Sequence, residues 1–271
     1  MIVFPNCKIN IGLLVLGKRE DGYHDLETIF YPVPINDALE AVRAPELSFS
    51  TSGLAINGTN EDNLCVKAYQ LLQERHGISP VKMHLHKAIP MGAGLGGGSA
   101  DGAFTLLLLN QLFQLQLDKD TLISYALELG SDCPFFIINQ PVVATGRGEI
   151  MTPVSLPQLR GKHIVLVNPG IHISTGEAFS MVQPRGASGQ LAKVPDLPVD
   201  QWQGIAINDF EGALIPEYTT TREIRDMLYT KGALFASMTG TGSTVYGIFD
   251  KAPDQPGNWF PSNWTVISQP L

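Results

Sequence analysis

The chain has 271 residues, with 18 Lys+Arg against 26 Asp+Glu and a formal charge of −8. Only 16% of residues are charged, against about 25% in an average globular chain, and 44% are hydrophobic, so a disordered chain is excluded and nucleic acid is disfavoured as a partner. Cys7, Cys65 and Cys133 are odd in number and scattered, which suggests neither a disulfide framework nor a zinc site, and no window approaches the ~18 apolar residues of a membrane span. The N-terminus lacks the basic-then-apolar pattern of an export leader. A cytoplasmic protein with no membrane partner is expected; monomer and homodimer are both compatible with the sequence.

In chain order, β-rich runs at Ile9–Leu16, Tyr23–Pro34, Ala38–Val42 and Leu47–Thr51 alternate with turn signals and predict a mainly antiparallel sheet. Leu64, Ala68, Leu71 and Leu72 then recur at a helical period, with Asn63 as N-cap and Gly77 past the end. Val81, Met83 and Leu85 alternate with Lys82, His84 and His86, which predicts a strand. A second helix is expected over Ala103–Phe113 with Ser99 as its N-cap, and a third from Asp118 to Leu129, stopped by Gly130. Strands are expected at Val142–Thr145 and His163–Val167, and the capping box Ser174-Thr-Gly-Glu177 predicts a helix over Ala178–Val182.

The stretch Gln183–Pro198 reads as a mobile connection. Helices near Asn208–Leu214 and Thr221–Tyr229 and strands at Leu234–Met238, Val245–Phe249 and Trp264–Ile267 complete the pattern. Strands and helices mix without a regular βαβ repeat, so the class is α+β, with a division expected near residue 150.

The most informative stretch is Pro90-Met91-Gly92-Ala93-Gly94-Leu95-Gly96-Gly97-Gly98-Ser99-Ala100, between a predicted strand and a predicted helix. Glycines allow positive φ and remove Cβ, so successive amides can turn inward, and a helix N-terminus adds partial positive charge. A phosphate cradle is the functional reading, and a flexible linker the bland one. Gly92-x-Gly94-x-x-Gly97 fits the dinucleotide fingerprint, yet the acidic residue about 20 positions on would fall at a helix start (Asp118, Asp120). A Walker loop needs Lys then Ser/Thr where Gly98-Ser99 stands.

Asp132, between Gly130 and Pro134, reads by itself as an Asx turn or a cap in tight, non-helical backbone, or as a carboxylate placed to take a proton. Lys8 shares one strand face with Asn10, where a lysine is by default solvated. Asp21-Gly22-Tyr23-His24 reads as a hairpin turn. His84 and His86 lie two apart on one face, and without a third donor in the motif they do not make a metal site.

Pro90 to Ala100 resembles the ATP loop of the GHMP small-molecule kinases. Pro5-Asn-Cys-Lys8-Ile-Asn10, Arg19-Glu-Asp21-Gly22-Tyr23-His24, Gly130-Ser-Asp132-Cys-Pro134, Asn208-Asp-Phe-Glu211 and Thr239-Gly-Thr-Gly242 are similar to motifs of that family's branch acting on 4-diphosphocytidyl-2-C-methyl-D-erythritol. The motifs come in the same order and reach from residue 5 to about 250. Cys7 stands where the family often has Ala. Ala100 stands where many members have a second Ser, which leaves Ser99 as the loop's only serine.

The resemblance implies a two-domain fold, residues 1–150 as an N-terminal ribosomal S5 domain 2-like part carrying the ATP loop and 151–271 as a ferredoxin-like α/β sandwich. It implies ATP as co-substrate with Mg2+, whose protein ligands it leaves open, and the cytidyl alcohol as acceptor. Asp132 is implied as the catalytic base and Lys8 as the cation beside it. Residues 90–100 and Asn63 are implied as nucleotide contacts, and Asn10, Tyr23, His24, Thr175 and Phe179 as acceptor contacts, with Tyr23 and Phe179 stacking on the cytosine. The rival readings are a GHMP kinase for mevalonate, homoserine or a sugar, a non-catalytic nucleotide-binding module, and a nicotinamide oxidoreductase.

Overall fold

The computed structural model describes residues 1–56, 58–186, 189–212 and 217–271. The strands are β1 (Ile2–Val3), β2 (Asn6–Lys18), β3 (His24–Asn36), β4 (Ala38–Arg43), β5 (Ser48–Gly53), β6 (Val81–Lys87), β7 (Val142–Gly146), β8 (Ile150–Pro153), β9 (His163–Asn168), β10 (Phe235–Met238), β11 (Val245–Phe249) and β12 (Thr265–Pro270). The helices are α1 (Leu64–His76), α2 (Gly97–Phe113), α3 (Lys119–Leu129), α4 (Cys133–Ile138), α5 (Thr175–Met181) and α6 (Glu217–Thr230).

The chain packs as two units that interleave in sequence. One holds Met1–Lys8, Pro34–Met91 and Gly96–Gln140; the other holds Ile9–Val33, Gly92–Leu95 and Pro141–Leu271. In the first unit the sheet order is β1-β4-β6-β5, with β5 parallel to β6 and the other pairs antiparallel. The alternation in β6 holds, since Val81, Met83 and Leu85 are fully buried while Lys82 and His86 are exposed. Helix α1 is capped as expected: Asn63 Oδ1 accepts from Cys65 N at 2.9 Å, and Gly77 takes φ 60° at the far end. Asp118 likewise caps α3 through Thr121 N at 2.8 Å.

The second unit contains the antiparallel sheet β10-β11-β9-β12. Numbered in chain order from β9, its strands run 2-3-1-4, the ferredoxin-like arrangement, with the second crossover reduced to a 3-10 turn at Pro256–Trp259. A second sheet has the order β2-β3-β7-β8, in which β8 was not foreseen from the sequence. Strand β2 is buried on both faces from Asn6 to Val15, so Lys8 is not the solvated strand lysine that its type suggests.

Four sequence expectations are corrected. Helix α2 starts at Gly97 with Gly96 as N-cap, which puts Ser99 inside the first turn instead of at the cap. Residues from Cys133 are helical, because Pro134 sits in the first turn, where its missing N–H costs nothing. The described part of the 183–198 stretch is strapped down, with residues 187 and 188 outside the described set. Arg185 N donates to Val15 O at 2.8 Å and Gly186 N to Leu16 O at 3.0 Å, and Leu191 and Val194 are fully buried. The buried Glu27 carboxylate accepts from Gly189 N at 2.5 Å and Leu191 N at 3.0 Å. The helix expected near 208–214 is a 3-10 turn at Asp209–Gly212, and residues 213 and 214 lie outside the described set.

Glu27→Ala strands two amides, at about 1–3 kcal/mol each where they stay buried. A loss of about 2–4 kcal/mol in urea unfolding, with faster proteolysis after Arg185, is the expected outcome. An unchanged urea midpoint would remove Glu27 from this role.

Candidate active site

In the first unit, Lys8 near the start of β2 and Asp132 before α4 meet as an ion pair, Nζ to Oδ2 3.7 Å. The Lys8 side chain is 5% exposed and that of Asp132 37%. Burial holds the Lys8 ammonium below the usual lysine range, and the Asp132 carboxylate opposes that shift. Asp132 occupies the N-cap position of α4 and makes no side-chain cap hydrogen bond. Its carboxylate is therefore not used as a cap, and it faces the lysine with its other side open to water.

The glycine loop makes room for that lysine. A Cβ on Gly96 would lie 3.2 Å from Lys8 Cε and Cγ and 3.0 Å from Phe136 Cζ, so only glycine lets the lysine stem pass under the start of α2. The first intrahelical bond runs from Ala100 N to Gly96 O at 2.9 Å. The amides of Gly97, Gly98 and Ser99 thus precede the helical ladder, at the positive end of a 17-residue helix. Pro90 and Met91 belong to the same unit, and Gly98 has only the flexible Met91 side chain near its missing Cβ. Asn63 stays at its cap on α1.

The middle of the loop belongs to the second unit. Gly92, Gly94 and Gly96 take φ of 62°, 78° and 70°, alternating with the buried Ala93 and Leu95, a pattern that turns successive amides toward one side. Gly94 O accepts from Thr239 Oγ1 at 3.0 Å, and Thr244 N donates to Ala93 O at 3.4 Å. Asn10, expected as an acceptor contact, is 2% exposed and ties into the same turn. Its Nδ2 donates to Thr28 Oγ1 at 2.9 Å, and its Oδ1 accepts from Gly240 N at 3.0 Å and Thr239 Oγ1 at 3.2 Å. Asn10 braces the turn against which the loop is built.

The second unit also brings together aromatics named from sequence. Asp21 Oδ1 accepts from Tyr23 N at 3.1 Å and Gly22 takes φ 85°, which fixes the hairpin turn and leaves Tyr23 54% exposed. His24 stacks on Phe179 with ring centroids 4.9 Å apart and planes at 23°, and Phe210 meets Phe179 edge-on at 4.9 Å. Burial, then Lys18, lowers the His24 pKa, so its ring is neutral at pH 7 and offers one donor and one acceptor. Thr175 is the exposed first residue of α5, behind the Ser174 cap.

Two features were missed in the sequence. Arg147, in the β7–β8 turn, lies over the Tyr23 ring at 4.9 Å, and nothing local in sequence links residues so far apart. A buried cluster of Lys87, Asp37 and Asp101 lies beside Gly97, and its signal was present: Lys87 continues the buried parity of Val81, Met83 and Leu85. Among the described residues no three His, Cys, Asp or Glu side chains form a metal-binding group, and no helix is long and apolar enough to cross a membrane.

A family model described as GHMP kinases N terminal domain matches residues 63–140, and one described as GHMP kinases C terminal matches residues 200–256. The 4-diphosphocytidyl-2-C-methyl-D-erythritol kinase of Bacteroides thetaiotaomicron is 48% identical over 254 residues, 92% of each chain. The protein of the same name from Parabacteroides distasonis is 48% identical over 251 residues, 93% of this chain and 92% of its own. A crystal structure of a 4-(cytidine 5'-diphospho)-2C-methyl-D-erythritol kinase superposes with a TM-score of 0.78 at 29% identity, covering 99% of this chain and 98% of that one. With this α+β architecture, a glycine loop opening α2, and relatives that match over nearly their whole length, the chain belongs to the GHMP kinase family, in the branch named 4-diphosphocytidyl-2-C-methyl-D-erythritol kinase.

Proposed function

We propose that the chain transfers the γ-phosphoryl group of ATP to the C2 hydroxyl of 4-diphosphocytidyl-2-C-methyl-D-erythritol, a step of non-mevalonate isoprenoid precursor synthesis in the cytoplasm. The observation that carries the mechanism is the Lys8–Asp132 pair, a buried cation against a carboxylate left free of any cap, packed against the glycine at the start of α2. Asp132 accepts the hydroxyl proton, and Lys8 offsets negative charge that develops on the acceptor oxygen. Residues 90–100 present amides and the α2 N-terminus to the phosphates. Asn63 adds a nucleotide contact.

The Ser99 hydroxyl, the side-chain oxygen the loop offers, would help to hold a hard cation. Mg2+ there would supply charge neutralisation to the phosphates. Tyr23 and Phe179 offer aromatic faces to the cytosine, and the neutral His24 ring offers a donor and an acceptor to its edge. Thr175 adds an acceptor contact, while Asn10, buried and bonded to Thr28, Thr239 and Gly240, supports the loop from behind.

The test is phosphoryl transfer from ATP to the cytidyl alcohol, followed by 31P NMR, with mevalonate and homoserine as competing acceptors. Equal turnover of acceptors that lack cytidine would overturn the substrate assignment. Tyr23→Ala removes a stacking face worth about 1–3 kcal/mol. It should raise KM for the acceptor about 5- to 150-fold and leave KM for ATP unchanged; an equal rise in both would contradict the cytosine contact.

A further inference from the structure

Lys87 ends β6 on its buried face and is 1% exposed. Its ammonium donates to Asp37 and, at 2.7 Å, to Asp101 Oδ2. The second oxygen of Asp37 accepts from Ala88 N at 2.6 Å and Ile89 N at 2.9 Å, the two residues before Pro90. Asp101 is the fifth residue of α2, just after the glycine loop. A Cβ on Gly97 would lie 3.0 Å from Lys87 Nζ, so the ammonium is packed beneath the first turn of the helix. Asp101 Oδ1 is buried with no hydrogen-bond partner. Three buried charges of this kind are not a route to stability, since apolar side chains of similar volume commonly serve as well or better. Their geometry instead joins the segment that leads into the loop to the helix that leads out of it.

We propose that Lys87, Asp37 and Asp101 form a buried clamp that fixes the two ends of the glycine loop and so act as positioning residues for the nucleotide phosphates, an inference that rests on the nucleotide-loop reading above.

The experiment is calorimetric titration of the full chain with ADP for wild type, Asp101→Ala and Asp101→Asn, each checked by thermal melt. Asp101→Ala, which cuts α2 from Lys87, is expected to weaken ADP at least about tenfold with the fold intact. Asp101→Asn, which keeps an acceptor for the ammonium, restores binding to within about threefold. The clamp is overturned if Asp101→Ala binds ADP like wild type, or if Asp101→Asn binds no better than Asp101→Ala. Should Asp101→Ala fail to fold, Asp101→Leu, which fills the site with an apolar chain and equally cuts α2 from Lys87, takes its place, and ADP binding like wild type then overturns the clamp. Tight ADP binding without transfer to the cytidyl alcohol would sink the function proposed above and leave the clamp standing.

Discussion

Asp132→Asn is expected to lower kcat by about 10²–10⁴-fold, the usual contribution of a positioned proton acceptor, or about 3–5 kcal/mol of barrier. The fold should not change, because Asp132 makes no cap hydrogen bond and its side chain is 37% exposed. Lys8→Met is the companion. It keeps the stem volume against Gly96 and Phe136 and removes only the charge, and Asp132 is open enough to stay solvated without its partner. Thermal stability therefore holds or rises, since a buried ammonium is replaced by an apolar chain, while kcat drops by about 10²–10³-fold. Steady-state kinetics beside a melting curve separate the two effects. If both variants kept near wild-type kcat, the assigned roles would be wrong; if both lost activity only by unfolding, the pair would be structural.

Gly94→Ala has the largest expected structural effect. Its φ of 78° costs a residue with Cβ about 1–2 kcal/mol, and the added Cβ would stand 2.0 Å from Thr239 O. The clash is with backbone, so no side-chain rotation relieves it. Nor can the Thr239 turn move freely: Asn10 holds Gly240 N at 3.0 Å, and Asn208 Nδ2 donates to Met238 O at 2.8 Å and Gly240 O at 2.9 Å. A loss above about 4 kcal/mol, in the exceptional range for one substitution, and loss of nucleotide binding are expected. Gly98→Ala is the control. Its Cβ would meet only Met91 Cε at 3.3 Å, the end of a flexible side chain, so the change should stay within about 1 kcal/mol. Equal melting of the two variants would refute the claim that close backbone approach at residue 94 shapes the loop.

Short-range chemistry was legible in the chain. Caps at Asn63, Asp118 and Ser174 and the left-handed Gly77 were readable, because a side-chain oxygen two or three residues from an amide acts whatever the rest of the fold does. The parity of β6 was readable for the same local reason, although it also implicated Lys87 and went unread there. Helix α2 began two residues before the expected Ser99 cap, because a positive φ at Gly96 starts a helix without any side-chain cap. The 183–198 stretch was misread because its Pro, Gly and Ser content reports only the cost of order. The offsetting contacts, the Glu27 carboxylate and the burial of Leu191 and Val194, come from elsewhere in the chain.

The sequence by itself determined the residue types, their order and a glycine loop able to turn its amides inward, since positive φ without Cβ is a property of glycine alone. Only the tertiary structure decided that Lys8 is buried and paired, that the Asp132 carboxylate is not spent on capping, and that Asp37 and Asp101 share one ammonium. The reason is physical. A charge takes its meaning from the water it has lost and the partner it has gained, and these partners lie 124, 50 and 14 residues apart in the chain, beyond the reach of any local pattern.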